Sequence, residues 1–314
     1  MPIEWRTVFD AEPEQVYRVE AAGRTVEVPC FVPGLHYAKN FAEQWSRFRN
    51  TQLDSANGTT ISRDFLKRLL FDSLESLHGK TVLEIGAGAG RFTEHLVRHA
   101  KLVVAVDLSE AILVNAALGV ENLVAAQIDL LKPPPMKVQF DAVFCRGVLQ
   151  HTPEPKEAIA AIHRLASPGG LVVFDIYGPT GRLGNLEPKY AWRGIIPHVF
   201  SQDSFSRFLD RHARRLLRLR WRLKPLFRWK MRRLLDYLIP IADYKGGLPL
   251  TEDQLVEWGK LDTVDAMFAK YDKPMKYAEV VKVVESIDAT VVASDHEYNL
   301  FKTRTSGVSR TPGR

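Results

Sequence analysis

A glycine-rich segment at Val82–Phe92 constrains the fold of this chain more than any other feature. Its sequence is Val-Leu-Glu-Ile-Gly-Ala-Gly-Ala-Gly-Arg-Phe, and it joins a short apolar run, Thr81–Ile85, to a helical pattern over Arg91–His99. Glycines at such a strand-to-helix turn permit a tight backbone path and let amide groups approach a ligand closely. The segment therefore predicts a ligand-binding loop at the edge of a sheet.

Short apolar runs and helical patterns alternate along the middle of the chain. Strands buried on both faces beneath crossover helices have this appearance. The rhythm predicts an α/β fold, a Rossmann-like doubly wound, mostly parallel seven-stranded sheet with an N-terminal extension and a helical insertion after the fifth strand. The predicted strands are 81–85, 102–106, 123–128, 141–145, 171–176, 289–294 and 299–304, and the predicted helices are 62–77, 91–99, 110–118, 156–166 and 275–286.

Two acids and one arginine indicate what the loop binds. In the dinucleotide fingerprint G-x-G-x-x-G the third glycine would fall at position 91, which is Arg91. A carboxylate at Glu84, two residues before Gly86, would repel a pyrophosphate but tolerate an ammonium group. Asp107 ends the second strand, where an acid can accept hydrogen bonds from both ribose hydroxyls. The pattern favours an adenosyl ligand without phosphates, although Asp107 alone is equally compatible with NAD.

Four motifs resemble those of class I S-adenosylmethionine-dependent methyltransferases, of the bacterial type that modifies small molecules or surface glycans. In order they are VLEIGAGAGRFTEHL, AVDLS, FDAVFCRGVLQHTPEP and LASPGGLVVFDIY. The resemblance implies an enzyme with S-adenosylmethionine as its cofactor. It implies that the cofactor is bound by Glu84, Gly86, Ala87, Gly88, Gly90, Asp107, Leu108, Asp129, Arg146 and Gly147, and a softer similarity over 37–52 adds Tyr37, Gln44 and Trp45.

A general base is required only if the acceptor must lose a proton, since positioning supplies much of the catalysis of a methyl transfer. His151, after the fourth predicted strand, is the candidate because histidine titrates near neutrality. Tyr177, after the fifth, is a second candidate whose alternative role is packing. The predicted acceptor is a small molecule, a sugar or a lipid-linked glycan. RNA methylation and nicotinamide-dependent oxidoreduction are the alternatives, and Glu84 and Arg91 argue against the second.

These assignments divide the chain into five parts. The ranges are 1–60 for an N-terminal extension or lid, 61–177 for the cofactor-binding core, 178–270 for a basic insertion that binds substrate or membrane, 271–304 for the sheet-completing part and 305–314 for a disordered tail.

The segment Phe205–Arg233 holds twelve Lys/Arg and one acid, a net charge of +11 in a chain whose total is +6. Three explanations compete: a solvated helical pair, an anionic membrane surface as partner, or a polyanionic acceptor such as a nucleic acid or a phosphate-bearing glycan. The leucines with Trp221 and Trp229 favour the membrane or a lipid-linked substrate over nucleic acid.

The remaining features indicate an ordinary globular protein. The N-terminus carries acids and no apolar core, so it does not resemble a secretory signal, and no apolar run approaches the roughly 20 residues of a membrane span. Cys30 and Cys145 offer neither a disulfide framework nor metal-ligand spacing, so no metal is expected. We expect a cytoplasmic location, with a peripheral position at the inner membrane as the alternative.

Overall fold

The computed structural model describes residues 3–33, 53–179, 188–227 and 234–307. Within these ranges, 3–33, 60–178 and 271–307 form one compact unit, called unit 1, and 53–59 with 179–270 form unit 2. The predicted cofactor residues Tyr37, Gln44 and Trp45 lie outside the described residues. So do positions 228–233 of the basic segment and most of the predicted tail.

Unit 1 is built on a sheet of nine strands. In chain order the strands are β1 (Gln15–Ala21), β2 (Arg24–Cys30), β3 (Thr81–Ile85), β4 (Leu102–Asp107), β5 (Leu123–Gln127), β6 (Phe140–Cys145), β7 (Ala166–Asp175), β8 (Thr290–Asp295) and β9 (Leu300–Arg304).

The spatial order of the strands is β1-β2-β5-β4-β3-β6-β7-β9-β8. The run from β5 to β7 is parallel, and β9 is antiparallel to both of its neighbours. The chain leaves β3 towards β4 on one side and reaches β6 on the other. The Rossmann-like, doubly wound, mostly parallel prediction is therefore confirmed, and its switch point lies between β3 and β6, where such sheets bind ligands.

The predicted number of seven strands is wrong, because the N-terminal extension contributes two more. β1 and β2 pair as an antiparallel hairpin, and Cys30 of β2 joins the sheet beside Gln127 of β5. Ala22 and Gly23 close the hairpin with φ of 51° and 76°, the pair of positive angles that a two-residue type I′ turn needs. Along β1, exposed residues are interspersed with partly buried ones and only Ala21 is buried, which suits an edge strand.

Eleven α-helices lie within the described ranges. In chain order they are α1 (Asp54–Asn57), α2 (Ile61–Leu70), α3 (Thr93–Leu96), α4 (Ala111–Ala116), α5 (Pro155–Arg164), α6 (Pro188–Arg193), α7 (Ile196–Val199), α8 (Gln202–Leu223), α9 (Leu234–Leu238), α10 (Glu252–Phe268) and α11 (Tyr277–Ser286).

The helix predicted over 62–77 ends earlier than expected. Phe71 adopts a left-handed conformation with φ of 50°, which ends α2, and the rest of the pattern is a separate 3-10 turn at Leu74–Leu77. The strands and helices predicted around it occur within a few residues of their expected bounds, with two exceptions. Only α3 is helical within 91–99, and the strand predicted over 171–176 begins five residues earlier, at Ala166.

The sheet of unit 1 is buried on both faces. Alternate residues of β4 enter opposite clusters: Val104 and Val106 pack in one, and Val103 and Ala105 pack in the other. A strand with both faces covered must be apolar throughout, which explains the continuous runs in the sequence. This burial fixes the strand ends, and with them the loops that carry the candidate site.

Unit 2 is helical and has its own core. α8 begins where the Ser201 hydroxyl accepts a hydrogen bond from the Ser204 amide, and it ends just before Pro225. Its buried face, at Phe205, Leu209, Ala213 and Leu217, packs in a cluster that includes Val256 and Val264 of α10. Of the helices that the structure describes, none is long and apolar enough to cross a membrane.

Candidate active site

The glycine loop after β3 has the backbone shape that a close ligand approach requires. Gly86, Gly88 and Gly90 all have positive φ, of 72°, 51° and 101°. A Cβ on Gly86 would lie 2.0 Å from Cγ2 of Val148, in the loop after β6. The amides of Gly86 and Ala87 donate to the carbonyl oxygen of Val106 at 2.8 and 3.1 Å, so the loop is tied to β4. The sequence needs glycine here for both conformation and space.

Asp107 connects the loop to the end of β4. Its Oδ2 accepts a hydrogen bond from the Gly88 amide at 2.8 Å, and its Oδ1 accepts from the amide and hydroxyl of Ser109, both at 2.7 Å. Burial raises the pKa of Asp107 above its usual value, and these hydrogen bonds oppose the rise. The carboxylate therefore holds the loop closed and lies at the strand end where a ribose is expected.

Glu84 differs from the sequence expectation. It lies on β3 beneath the loop with 1% of its surface exposed. Its Oε2 accepts from the Thr93 hydroxyl at 2.5 Å, and that hydroxyl accepts from Asn115 at 2.7 Å. Burial raises the pKa of Glu84 to about 8, so the side chain is protonated at neutral pH. The charge of Glu84 therefore depends on its surroundings, since a nearby cation such as the ammonium group of a ligand favours the charged form of a buried carboxyl.

Polar side chains on β5 and after it flank Asp107. Gln127 pairs with Asp107 in the sheet, and its side-chain amide donates to the carbonyl oxygen of Leu108 at 2.9 Å. Asp129 follows two residues later, and its carboxylate accepts from the Leu131 amide at 2.9 Å. The sheet thus brings Leu108 and Asp129 to the same edge as the loop.

Arg146 and Gly147 follow β6 and meet an acid that the sequence argument missed. Asp175, at the end of β7, is 3% exposed and accepts from the Gly147 amide at 2.6 Å. The Nε of Arg146 lies 3.8 Å from the Asp175 carboxylate, and its guanidinium stacks 4.0 Å from the Phe65 ring centroid. The sequence could have indicated Asp175 as a site residue, because it ends an apolar strand as Asp107 does.

His151 is held in one orientation. Its Nδ1 lies 2.8 Å from the carbonyl oxygen of Tyr271, which can only accept, so Nδ1 carries the proton and Nε2 of the neutral ring carries the lone pair. The ring of Tyr177, 38% exposed, lies edge-on with its centroid 5.8 Å away. The Oε1 of Gln150, whose side chain is fully buried, lies 3.4 Å from the Tyr177 amide.

Three buried polar atoms along this loop have no hydrogen-bond partner among the described residues: Nε of Arg146, Nε2 of Gln150 and Nε2 of His151. Unsatisfied buried polar atoms are costly, so these three need partners beyond the described residues, and a bound ligand would supply them. Together with the cradle at Gly86, these groups fit a polar adenosyl cofactor and an acceptor beside it. Sequence reasoning found Arg146 and His151 through motif position but had no signal for Gln150.

The comparisons with known proteins agree with this reading of unit 1. Residues 83–174 match the family model described as a methyltransferase domain. The match confirms the prediction that the core is a class I S-adenosylmethionine-dependent methyltransferase domain, a type whose cofactor is S-adenosylmethionine.

Curated relatives match the same part of the chain. A ubiquinone biosynthesis O-methyltransferase of Pseudomonas paraeruginosa is 38% identical over 106 residues, which is 32% of this chain and 46% of the relative. Its counterpart from Pseudomonas syringae pv. tomato is 36% identical over 111 residues, 33% of this chain and 47% of the relative. The aligned part spans about half the length of these relatives.

Among solved structures, the N-methyltransferase NodS of Bradyrhizobium japonicum in complex with S-adenosyl-L-homocysteine is 25% identical. The alignment covers 45% of this chain and 75% of NodS, with a TM-score of 0.37.

Proposed function

We propose that this protein transfers the methyl group of S-adenosylmethionine to a hydroxyl group of a small-molecule acceptor. The observation that carries the proposal is the presence of two features in unit 1. The glycine loop is tied to Asp107, and His151 is held in one orientation with its Nε2 lacking a hydrogen-bond partner among the described residues. The relatives' name, ubiquinone biosynthesis O-methyltransferase, supports an oxygen acceptor.

The loop residues would hold the cofactor, which supplies a methyl group on a positively charged sulfur. The amides of the glycine loop and the carboxylate of Asp107 would bind its polar ends, with Leu108 against the adenine and Asp129 near the adenine amino group. Glu84 would ionise as the ammonium group of the methionine part approaches, because a nearby cation favours the charged form of a carboxyl. Arg146 and Gly147 would contact the cofactor from the opposite side of the site, after β6.

His151 would act as the general base. Its Nε2 accepts the hydroxyl proton as the oxygen gains its bond to the methyl carbon, and the Tyr271 carbonyl stabilises the resulting imidazolium through Nδ1. This is the arrangement that makes a histidine an effective base, with one nitrogen oriented by an acceptor and the other facing the proton. Gln150, through its unpartnered amide nitrogen, would donate to the acceptor oxygen and position it.

The finer identity of the acceptor stays a prediction. A phenolic hydroxyl is the least demanding acceptor for an imidazole base, since the phenolic side chain of tyrosine has an ordinary pKa of about 10. A sugar or a lipid-linked glycan, the acceptors predicted from the sequence, would make the base more important because an alcohol is a weaker acid.

Isothermal titration calorimetry tests the cofactor, and mass spectrometry tests the transfer. S-adenosylhomocysteine is expected to bind with micromolar affinity and NAD is not. Incubation with methyl-deuterated S-adenosylmethionine and panels of phenols, sugars and lipid-linked sugars should label one class. Binding of NAD in place of S-adenosylhomocysteine would overturn the proposal in favour of an oxidoreductase, and methylation of RNA alone would reassign the acceptor.

A further inference from the structure

The solvent face of α8 in unit 2 is unusual in its charge. Arg207, Arg211, Arg215, Arg218 and Arg222 follow each other at spacings of four, four, three and four, which places them in one stripe of the helix opposite its buried face. We call these five residues the arginine face. All five are exposed.

Most of the arginine face has no ion-pair partner among the residues that the structure describes. Arg218 pairs with Glu252 at 2.7 Å, but Arg207, Arg211, Arg215 and Arg222 form no ion pair or hydrogen bond through their side chains with any described residue. A solvated helix ordinarily mixes acids and bases at spacings of three and four. On α8 itself, the acids within three or four residues of these arginines are Asp203 and Asp210, and Asp210 pairs with Lys260 of α10 at 2.9 Å, so bases predominate on this face.

This arrangement destabilises the helix that carries it. Like charges four residues apart, as at Arg207/Arg211 and Arg211/Arg215, repel each other. Elsewhere α8 is stabilised by paired charges and hydrogen bonds. Arg220 is largely buried and pairs with Asp236 and Asp243, and the indole of Trp221 donates to Asp243 at 2.8 Å. A repulsive stripe on a well-anchored helix is explained by a partner that supplies negative charge.

Apolar side chains at the end of the arginine face indicate which partner. Leu219 lies one turn from both Arg215 and Arg222 and is 48% exposed, and Leu226, in the 3-10 turn after α8, is 78% exposed. A nucleic acid offers phosphates to the arginines but little to an exposed leucine. The surface of a bilayer satisfies both, with headgroup phosphates outside and acyl chains within reach.

A cleft beside these residues suits a headgroup. It has a volume of about 270 Å³ and is lined by Trp221, Lys224, Pro225 and Lys245. The Lys245 ammonium lies 4.2 Å from the Trp221 ring centroid, and Lys224 lies 3.7 Å from Asp243. Lys245 over the indole, with Lys224 lining the same cleft, can hold a phosphate at the polar boundary where tryptophan concentrates in membrane proteins.

We propose that the arginine face, with Leu219 and Leu226, docks unit 2 onto a bilayer that contains anionic phospholipid. The interaction is peripheral and reversible, since the arginines bind headgroup phosphates and only two leucines enter the acyl boundary. It does not depend on the proposed methyl transfer, because vesicle binding is measured without cofactor.

Flotation of the full chain with phosphatidylcholine vesicles, with and without phosphatidylglycerol, tests the inference. The wild type should float only with the anionic vesicles and should dissociate largely at about 0.5 M NaCl, where surface charges are screened. The triple variant Arg207→Gln/Arg211→Gln/Arg215→Gln should bind about 100-fold more weakly, at roughly a factor of five per basic residue. Its melting midpoint should stay the same or rise, because repulsion is removed.

Matched variants distinguish vesicle binding by the arginine face from binding that depends only on net charge or on any exposed apolar side chain. Arg98→Gln/Lys101→Gln/Lys282→Gln removes three exposed charges from unit 1 and should bind vesicles like the wild type. Leu219→Ser/Leu226→Ser should lose the residual binding that remains at high salt, whereas Val292→Ser, at a position of β8 about as exposed as Leu219, should not.

Three results would overturn the inference. They are equal binding to vesicles with and without phosphatidylglycerol, equal loss of binding in the two triple variants, and tighter binding to a short RNA duplex than to vesicles at equal phosphate concentration. The last result would assign the arginine face to a nucleic acid.

Discussion

At the scale of single residues, the orientation of His151 is the most informative detail of the site. Because the Tyr271 carbonyl fixes the proton on Nδ1, the lone pair of Nε2 is available without any rearrangement of the ring. A packing histidine would have satisfied both nitrogens, as His163 does between Ile159 and Thr303.

His151→Asn tests this role. Asparagine can keep a donor to the Tyr271 carbonyl but removes the base, so kcat is expected to fall by about 10²- to 10⁴-fold, with the affinity for S-adenosylhomocysteine unchanged. Tyr177→Phe, which retains the aromatic contact with His151, should change kcat little. Steady-state kinetics and calorimetry measure both variants, and a normal kcat in His151→Asn would exclude the base role.

Glu84 makes a prediction about pH. Its pKa is about 8 in the folded chain and near 4.5 in the unfolded one, so the unfolded state loses the proton first as pH rises. The free energy of unfolding should therefore decrease between pH 4.5 and 8, by about 2 kcal/mol from pH 6 to pH 8.

Glu84→Gln removes this titration. Urea unfolding at pH 6 and pH 8 should show that the variant gains about 2 kcal/mol relative to wild type over that interval, while its affinity for S-adenosylmethionine decreases because the amide cannot ionise beside the ammonium. A stability difference that does not vary with pH would contradict the raised pKa.

At the scale of elements, the glycine loop combines two requirements that a matched pair of variants can separate. Gly79 and Gly86 have nearly the same φ, 74° and 72°, but a Cβ on Gly79 meets nothing within 4 Å. Gly79→Ala thus reports the cost of a left-handed conformation alone, about 1 kcal/mol. Gly86→Ala adds the clash with Val148.

Thermal unfolding and cofactor titration are the measurements for this pair. We expect Gly86→Ala to be less stable than Gly79→Ala by a further 1 to 3 kcal/mol, roughly the cost of overpacking, and to lose cofactor binding. Gly79→Ala should bind normally. Equal destabilisation by the two changes would mean that Val148 moves aside without cost.

Some of these elements could be predicted from the sequence and others could not. Buried strands such as β4 were predictable because burial on both faces requires an apolar run. The hairpin of β1 and β2 was not, since its polar alternation is shared by many loops and only pairing with β5 makes it part of the sheet. The end of α2 at Phe71 was not predictable either, because a left-handed non-glycine residue depends on tertiary contacts.

At the scale of the molecule, a hydrogen bond between distant parts of the chain joins β9 to α5 in unit 1. His163 of α5 bonds to Thr303 of β9, 140 residues away, and to the Ile159 carbonyl. Burial lowers its pKa to about 4, from an ordinary value of 6.5. The unfolded chain binds this proton first as pH falls, so acid weakens the folded state.

The free energy of unfolding is expected to decrease by about 2 kcal/mol between pH 7 and pH 5 because His163 resists protonation in the folded chain. Urea unfolding measures this decrease. His163→Gln cannot titrate, so its stability should fall less over the same interval even if it starts lower. A parallel decrease in both proteins would assign the acid sensitivity to other groups.

The sequence by itself determined the α/β class, the glycine loop and the strand-end acid Asp107, because these follow from local backbone demands and from the hydrophobicity that a buried strand requires. It also supplied Arg146 and His151 as candidates through motif position. The tertiary structure decided the number of strands, the burial of Glu84 and the placement of Asp175 and Gln150 at the candidate site. Those properties depend on burial and on hydrogen bonds between segments far apart in the chain, which no local pattern encodes.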